Sequence, residues 1–493
     1  MFRKAHLTHH ADISLNEWMT RGGDARIVLD QKTGLNRYSS APFPREILAF
    51  ASSTANDLSP EAHAFLAGRF AQGAAHLENG NAYAKCLDTL RTEIRETYAL
   101  EPATDVFFAP SGTDLEYVGL FAVSGRRDGG IVNHLLGADE IGSGCPQSAA
   151  GRYFAKETAL GIAVQPGDAV EGLPAIALAD CAVRRENGLA HDSAFLREAK
   201  HHSITAALAK DQFPLLHIVH GSKTGLVLPH LDDVDWLRTK FGADLTFVVD
   251  ACQARITTEA IHAYLERGII VFITGSKFMG GPPFSGFALL PPGLAAKAAP
   301  LPAGAAKIFR RAEVPAGWAN RDICEDSGNP GLALRLAASL FELNRFQQLG
   351  LSRAARVVES FTQATDKLAA NLNVRKVACT PEEDADEPTE HPIEMLTLVT
   401  LDLCHEANGK LCRTLTFDDA ASIYRQLIAT GIRLGQPVRC VRLDPETWGA
   451  TLRISLSMPQ IVRLDGLSDS QLAAWFDQAM TTIGSALNPL IGE

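Results

Sequence analysis

Two residues of complementary chemistry, a carboxylate at Asp250 and an amine at Lys277, stand just past two short apolar runs, LTFVV and IIVFIT. Runs rich in β-branched residues without polar alternation are the pattern of parallel strands covered on both faces. Gln253 accompanies the aspartate, and Thr274 and Ser276 accompany the lysine. Polar groups at the C-terminal ends of strands in an open α/β sheet face its ligand crevice. The two residues are 277 − 250 = 27 positions apart. That leaves room for one helix between two strands, so carboxylate and amine can face one site from neighbouring strands. A lysine on a Gly-Ser turn also reads as an ordinary surface residue, and the residues around it decide between the two.

Asp250-Ala-Cys-Gln253 follows one strand; Thr274-Gly-Ser-Lys277, with Gly281-Pro282 beyond it, follows the next. This order resembles the fold-type I pyridoxal phosphate (PLP) enzymes, and within them the aminotransferase class V and cysteine desulfurase group. The pattern there is Asp-Ala-x-Gln, then Ser/Thr-Gly-x-Lys-x-x-Gly-Pro; in this chain the Gly-Pro pair comes one residue late. The resemblance implies that Lys277 carries PLP as a Schiff base and that Asp250 pairs with the pyridinium nitrogen. A carboxylate beside that nitrogen favours the protonated ring, which is the better electron sink. Gln253, Thr274 and Ser276 are expected beside the cofactor.

Other motifs join in the order that the resemblance implies. DVFFA reads as a strand, and Ser111-Gly112-Thr113 follows it at the start of an apolar helix. Amides and the dipole at a helix start suit an anion, although a plain Ser or Thr cap reads the same way. The turn resembles the group's phosphate loop, so Gly112 and Thr113 are expected at the cofactor phosphate. In HGSKTG, Ser222 takes the place of the group's Asn beside the cofactor hydroxyl. The residue that stacks on the ring commonly follows an acid, but Glu140 is followed by Ile141-Gly142, and the stacking residue stays unassigned. Arg453 in LRISLS resembles the arginine that grips a substrate carboxylate, a task suited to a guanidinium. Cys440 matches the position of a catalytic cysteine in one desulfurase subgroup, without its Arg-x-Gly-His-His run. Ser327 and Asn329 precede a long helix where related enzymes reach the partner subunit's phosphate. Tyr38, Ser39 and Ser40 are candidates for the active-site mouth.

The elements that must hold these residues follow from the rest of the chain. At 493 residues and 46% hydrophobic, it supports a large core divided into two or three lobes. Residues 1–60 read as an N-terminal arm; His6, His9 and His10 in it read as solvated, not as metal ligands. Residues 61–300 read as the PLP-binding large domain, and 301–493 as a linker helix and C-terminal small domain. The implied fold is α/β, with a seven-stranded, mostly parallel sheet and a smaller α+β domain. PAIALAD (174–180) reads as another buried strand, and the acidic run 381–390 as a solvated loop. A net charge of −11 argues against nucleic acid as the main partner. No run is long and apolar enough to span a bilayer, and no secretory signal is legible. Nine scattered cysteines without paired spacing suit reduced thiols in the cytoplasm. The expected activity is PLP-dependent conversion of an amino acid or small amine by a homodimer. Aminotransfer leads, a cysteine desulfurase or related carbon–sulfur lyase using Cys440 is the alternative, and no metal is expected.

Overall fold

The computed structural model describes residues 13–138, 140–142, 144–185, 187–381, 396–407 and 410–492. The three N-terminal histidines and nearly all of the acidic run lie outside the described residues.

Seven strands form the main path of the large sheet: β1 (Asp105–Ala109), β2 (Ile131–Leu136), β3 (Ile176–Cys181), β4 (Phe213–His220), β5 (Thr246–Ala251), β6 (Ile270–Thr274) and β7 (Gly286–Leu290). Their order is β1-β7-β6-β5-β4-β2-β3, and the two-residue strand Val227–Leu228 pairs with β4 as an eighth. β6, β5, β4, β2 and β3 run parallel, whereas β7 is antiparallel to both of its neighbours. Successive side chains feed opposite faces. Phe247 and Val249 of β5 enter one apolar cluster, and Val248 enters the other. Covering both faces explains why these strands lack polar alternation. β3 departs from the expected burial: it ends the sheet path, and Leu178 is 38% exposed. An edge strand has only one neighbour, so an apolar sequence there does not guarantee burial.

Helix Leu115–Val123 starts just beyond β1 and is buried at every residue. Helix Pro330–Gln347 is capped by Asn329, whose side chain accepts from the Leu332 amide, with Pro330 at the first turn. Its interior residue Arg335 is wholly buried. The guanidinium donates to the carbonyls of Phe284, Met19, Arg21 and Gly22, so one helix holds the N-terminal segment against the end of the large sheet.

The C-terminal part packs helices Leu351–Leu372, Phe417–Ala429 and Asp469–Ile491 with an antiparallel pair, Leu398–Asp402 against Thr451–Ser455. The N-terminal segment is not a separate arm along its whole length. Leu48–Phe50 forms a parallel pair with Ile432–Leu434, and Phe50 stacks near Phe361.

Candidate active site

The carboxyl ends of β4, β5 and β6 open into a cavity of about 520 Å³. Asp250 and Lys277 both line it. Asp250 is paired with Phe272 across the β5–β6 ladder, and Lys277 follows that strand by one short turn. Asp250 Oδ1 accepts from the Cys252 amide at 2.9 Å, which fixes the carboxylate against its own turn.

The lysine turn is held from several sides. Asn56 donates its amide to the carbonyls of Ser276 (3.0 Å) and Lys277 (2.6 Å). The Gly281 amide donates to Gly275 O, and the Gly275 amide to Ser285 O. Glycine is required at both positions because the turn rests on helix Pro330–Gln347. A Cβ on Gly275 would come 2.2 Å from Ser339 Oγ, and one on Gly281 1.9 Å from it. The late Gly-Pro pair therefore still closes the turn, through contact with a helix far away in sequence. Thr274 Oγ1 donates to Cys252 O at 2.7 Å, and Ser276 Oγ donates to Thr274 Oγ1 at 3.3 Å.

Ser111, Gly112 and Thr113 line the same cavity. A Cβ on Gly112 would approach Thr274 Cγ2 to 2.8 Å, so only glycine lets this turn lie against the end of β6. Ser111 Oγ donates to Asp114 at 2.5 Å. Burial pushes the Asp114 carboxyl up to about 7, with Ser111 and Arg26 opposing the rise. A carboxyl only partly ionised at neutral pH opposes an anion at the neighbouring turn less than a full charge would.

Ser222, Gln253 and Arg453 line the cavity as well, but all three are turned to other partners. Ser222 Oγ donates to Glu140 Oε2 at 2.8 Å and accepts from the Leu226 amide. Gln253 Oε1 accepts from Arg255 at 2.6 Å, and Gln253 Nε2 donates to Ser53 O. Arg453 spends four donors on protein: Nε on Gln436 O, Nη1 on the carbonyls of Ser53 and Lys223, and Nη2 on Thr54 Oγ1. A guanidinium has five N–H groups, so one, on Nη2, remains. Asn329 is 1% exposed and divided between its capping bond and Gly22 O. Tyr38 reaches the cavity; Ser39 and Ser40 do not.

Cys440 is outside the cavity lining and 3% exposed. Burial pushes its thiol up to about 12, with Glu140 adding to the rise. Cys145 and Cys252 do line the cavity, and burial raises both thiols well above the usual range.

Several residues of the site take parts that the sequence did not announce. Glu140 is fully enclosed, yet Arg184 at 2.8 Å and the hydroxyls of Ser222 and Thr224 outweigh the burial and hold it below the ordinary carboxylate range. Arg26 grips Asp24, reaches Thr113 Oγ1 at 3.4 Å, and lies over the rings of Phe154 and Phe284. Behind Asp250, the buried Glu116 stands 3.4 Å from His217, and burial together with the Asp250 charge raises its carboxyl well above normal. Lys223 sits on the turn after β4 and also lines the cavity. Only its place beside Ser222 in HGSKTG could have drawn attention to it.

No protein-family model matches the chain, and no curated protein matches it. Solved structures do. The cysteine desulfurase CsdA from Escherichia coli superposes with a TM-score of 0.55 at 15% identity, over 90% of this chain and 96% of the other. The cystine C–S lyase C-DES gives 0.53 at 16%, over 88% and 97%. Serine palmitoyltransferase from S. paucimobilis gives 0.50 at 13%, over 95% and 94%. The chain has the fold of the type I PLP-dependent enzymes. Neighbours at such identity share the sheet and its crevice, while their reactions differ.

Proposed function

We propose that the chain is a PLP-dependent enzyme acting on an amino acid or small amine, and that its reaction is amino-group transfer. One observation carries this reading. Asp250 and Lys277, at the ends of two hydrogen-bonded parallel strands, line one cavity with the Ser111–Thr113 turn. A carboxylate, an amine and an anion-accepting turn are the three groups that a pyridine nitrogen, an aldehyde and a phosphate require. C-DES was solved with a PLP cofactor.

When bound, the cofactor supplies an electron sink. The residues of this chain divide the other tasks. Lys277 would hold the cofactor through Nζ and afterwards carry a proton at that atom. The Asp250 carboxylate would hold the proton on the ring nitrogen. Ser111, Gly112 and Thr113 would hold the phosphate, with Thr274 and Ser276 closing the floor beside it. Arg453 would orient the substrate carboxylate. Glu140 keeps its charge through Arg184 and stiffens the turn carrying Ser222.

Transfer is preferred to sulfur removal because a desulfurase needs a thiolate at the substrate. Burial disfavours ionisation of Cys440, Cys145 and Cys252 alike. The reading includes a cytoplasmic homodimer. Unpaired thiols at the eight cysteines whose side chains are described are consistent with that compartment. Among the described residues no helix is long and apolar enough to cross a membrane.

The test is the visible spectrum of protein purified with PLP, followed by single additions of amino acids. A band that shifts with an amino donor, together with release of the matching keto acid, is expected. Protein that gains no such band at saturating PLP would refute the assignment.

A further inference from the structure

The Ser111–Thr113 turn offers an anion amides and hydroxyls but no charge of its own. Asp114 behind it works against one: burial pushes this carboxyl up to about 7, so part of a negative charge remains at neutral pH. A phosphate monoester brings about two negative charges. Hydrogen bonds from a cation hold such a group roughly twice as strongly as neutral donors do. A cation at this turn therefore matters more than one further neutral donor.

Arg26 brings that cation from the N-terminal segment, and it lines the cavity. Its guanidinium is held by one edge. Nε and Nη2 donate to the Asp24 carboxylate at 2.9 and 2.8 Å, and the same carboxylate accepts from the Arg26 amide at 2.9 Å. Two rings cover it, with the centroids of Phe154 and Phe284 at 5.0 and 4.7 Å from Cζ. Its Nη1 is left toward Thr113 Oγ1, at 3.4 Å. That contact is longer than the about 2.7–3.2 Å of a well-formed bond. The mounting is built into the fold. Phe284 takes a φ of 71°, which a bulky side chain rarely adopts, and its carbonyl is fixed by Arg335 Nε at 2.7 Å. A Cβ on Gly23 would come 2.7 Å from Phe284 Cδ1, so the segment lies directly on that ring. Tyr38 lines the cavity beside the guanidinium; burial pushes its hydroxyl up, Arg26 opposes the rise, and the phenol stays a neutral donor.

We infer that Arg26 is a cofactor-binding residue, whose Nη1 side takes the phosphate held at the Ser111–Thr113 turn. The inference rests on the PLP reading and adds to it a charged ligand from a part of the chain remote from the sheet. Asp24 and the two rings orient the guanidinium before the phosphate arrives, so little side-chain freedom is lost on binding. The planar fork suits the task better than an ammonium would, because one edge can stay on Asp24 while the other Nη serves the anion. The segment that Arg335 ties to Phe284 then has a use in the site: it carries Asp24 and Arg26 to the phosphate.

The test compares two ligands that differ in the phosphate, PLP and pyridoxal, each titrated into cofactor-free protein and followed by the visible band formed with Lys277. Arg26→Gln should weaken PLP about tenfold or more, the size of one lost charge-assisted contact, and leave pyridoxal within about twofold. Arg26→Lys keeps the charge without the planar fork and should weaken PLP less, by about threefold. The lysine variant serves if the glutamine variant does not fold. A merely structural arginine would affect both ligands alike, so equal weakening of PLP and pyridoxal overturns the inference. An unchanged ratio of the two affinities in the variants overturns it as well. A wild type that forms no band at saturating PLP refutes the PLP reading itself, whereas a normal wild-type band with an unchanged ratio removes only the role of Arg26.

Discussion

The two sides of the cavity are built in different ways. One is the row of strand ends: Asp250, Thr274, Ser276 and Lys277 come from adjacent strands and their short turns, within 277 − 250 = 27 residues. The other brings together Arg26, Ser53, Thr54, Lys223, Gln436 and Arg453, from four distant parts of the chain. Short turns between adjacent strands shape the first side, with Asn56 and helix Pro330–Gln347 bracing the lysine turn. Buried arginines hold the second. Arg335 ties the N-terminal segment to Phe284, and Arg255 joins Gln253 to Thr397 and Ser52. A side made of adjacent strands can present reacting groups rigidly with few supporting contacts. A side assembled from remote segments needs interior hydrogen bonds to stay in place.

Removing a reacting group from the strand-end side should have the largest effect. Lys277→Ala should lose the visible band of lysine-bound cofactor and at least about 10³-fold in turnover, with PLP still retained non-covalently. Steady-state rates near the wild-type value would show that another group does this work. Asp250→Asn keeps the shape of the residue and removes the charge opposite the ring nitrogen. A loss of roughly 10²-fold in kcat is expected, about 2.7 kcal/mol of transition-state stabilisation. A normal kcat at saturating substrate and PLP would count against that pairing.

The assembled side should break through stability before chemistry. Arg335→Met strips donors from the carbonyls of Phe284, Met19, Arg21 and Gly22 inside the core. Leaving buried acceptors unmatched should cost about 2 kcal/mol in denaturant unfolding, and substrate KM should rise more than kcat falls. An unchanged midpoint with unchanged KM would mean that the segment is held by something else.

Cys440→Ser should have the smallest effect. The thiol is buried and outside the lining, so amino-group transfer should stay within about twofold of wild type. Free cysteine should release no sulfide or persulfide at a catalytic rate. Rapid alanine and persulfide formation, abolished by this substitution, would replace transfer with desulfuration as the reaction.

What could be read from residues alone was the contiguous part. The apolar runs before Asp250 and Lys277 announced buried parallel strands because hydrophobic pattern reports burial directly. The long helix that Ser327 and Asn329 precede starts where expected, because capping by Asn329 is a local hydrogen bond. The sheet exists as expected, and the strand-end residues stand together on it. Tertiary structure alone decided the rest. The sequence of β3 is as apolar as that of a central strand, and only its place at the end of the sheet exposes Leu178. Ser222 and Gln253 have the right chemistry for a cofactor, but Glu140 and Arg255 claim their polar atoms first. The N-terminal segment becomes part of both lobes through Arg335 and through the pairing of Leu48–Phe50 with Ile432–Leu434. The meeting of Arg453 with the Lys223 carbonyl could not be read along the chain, because residues 453 − 223 = 230 positions apart share a wall only where folding brings them together.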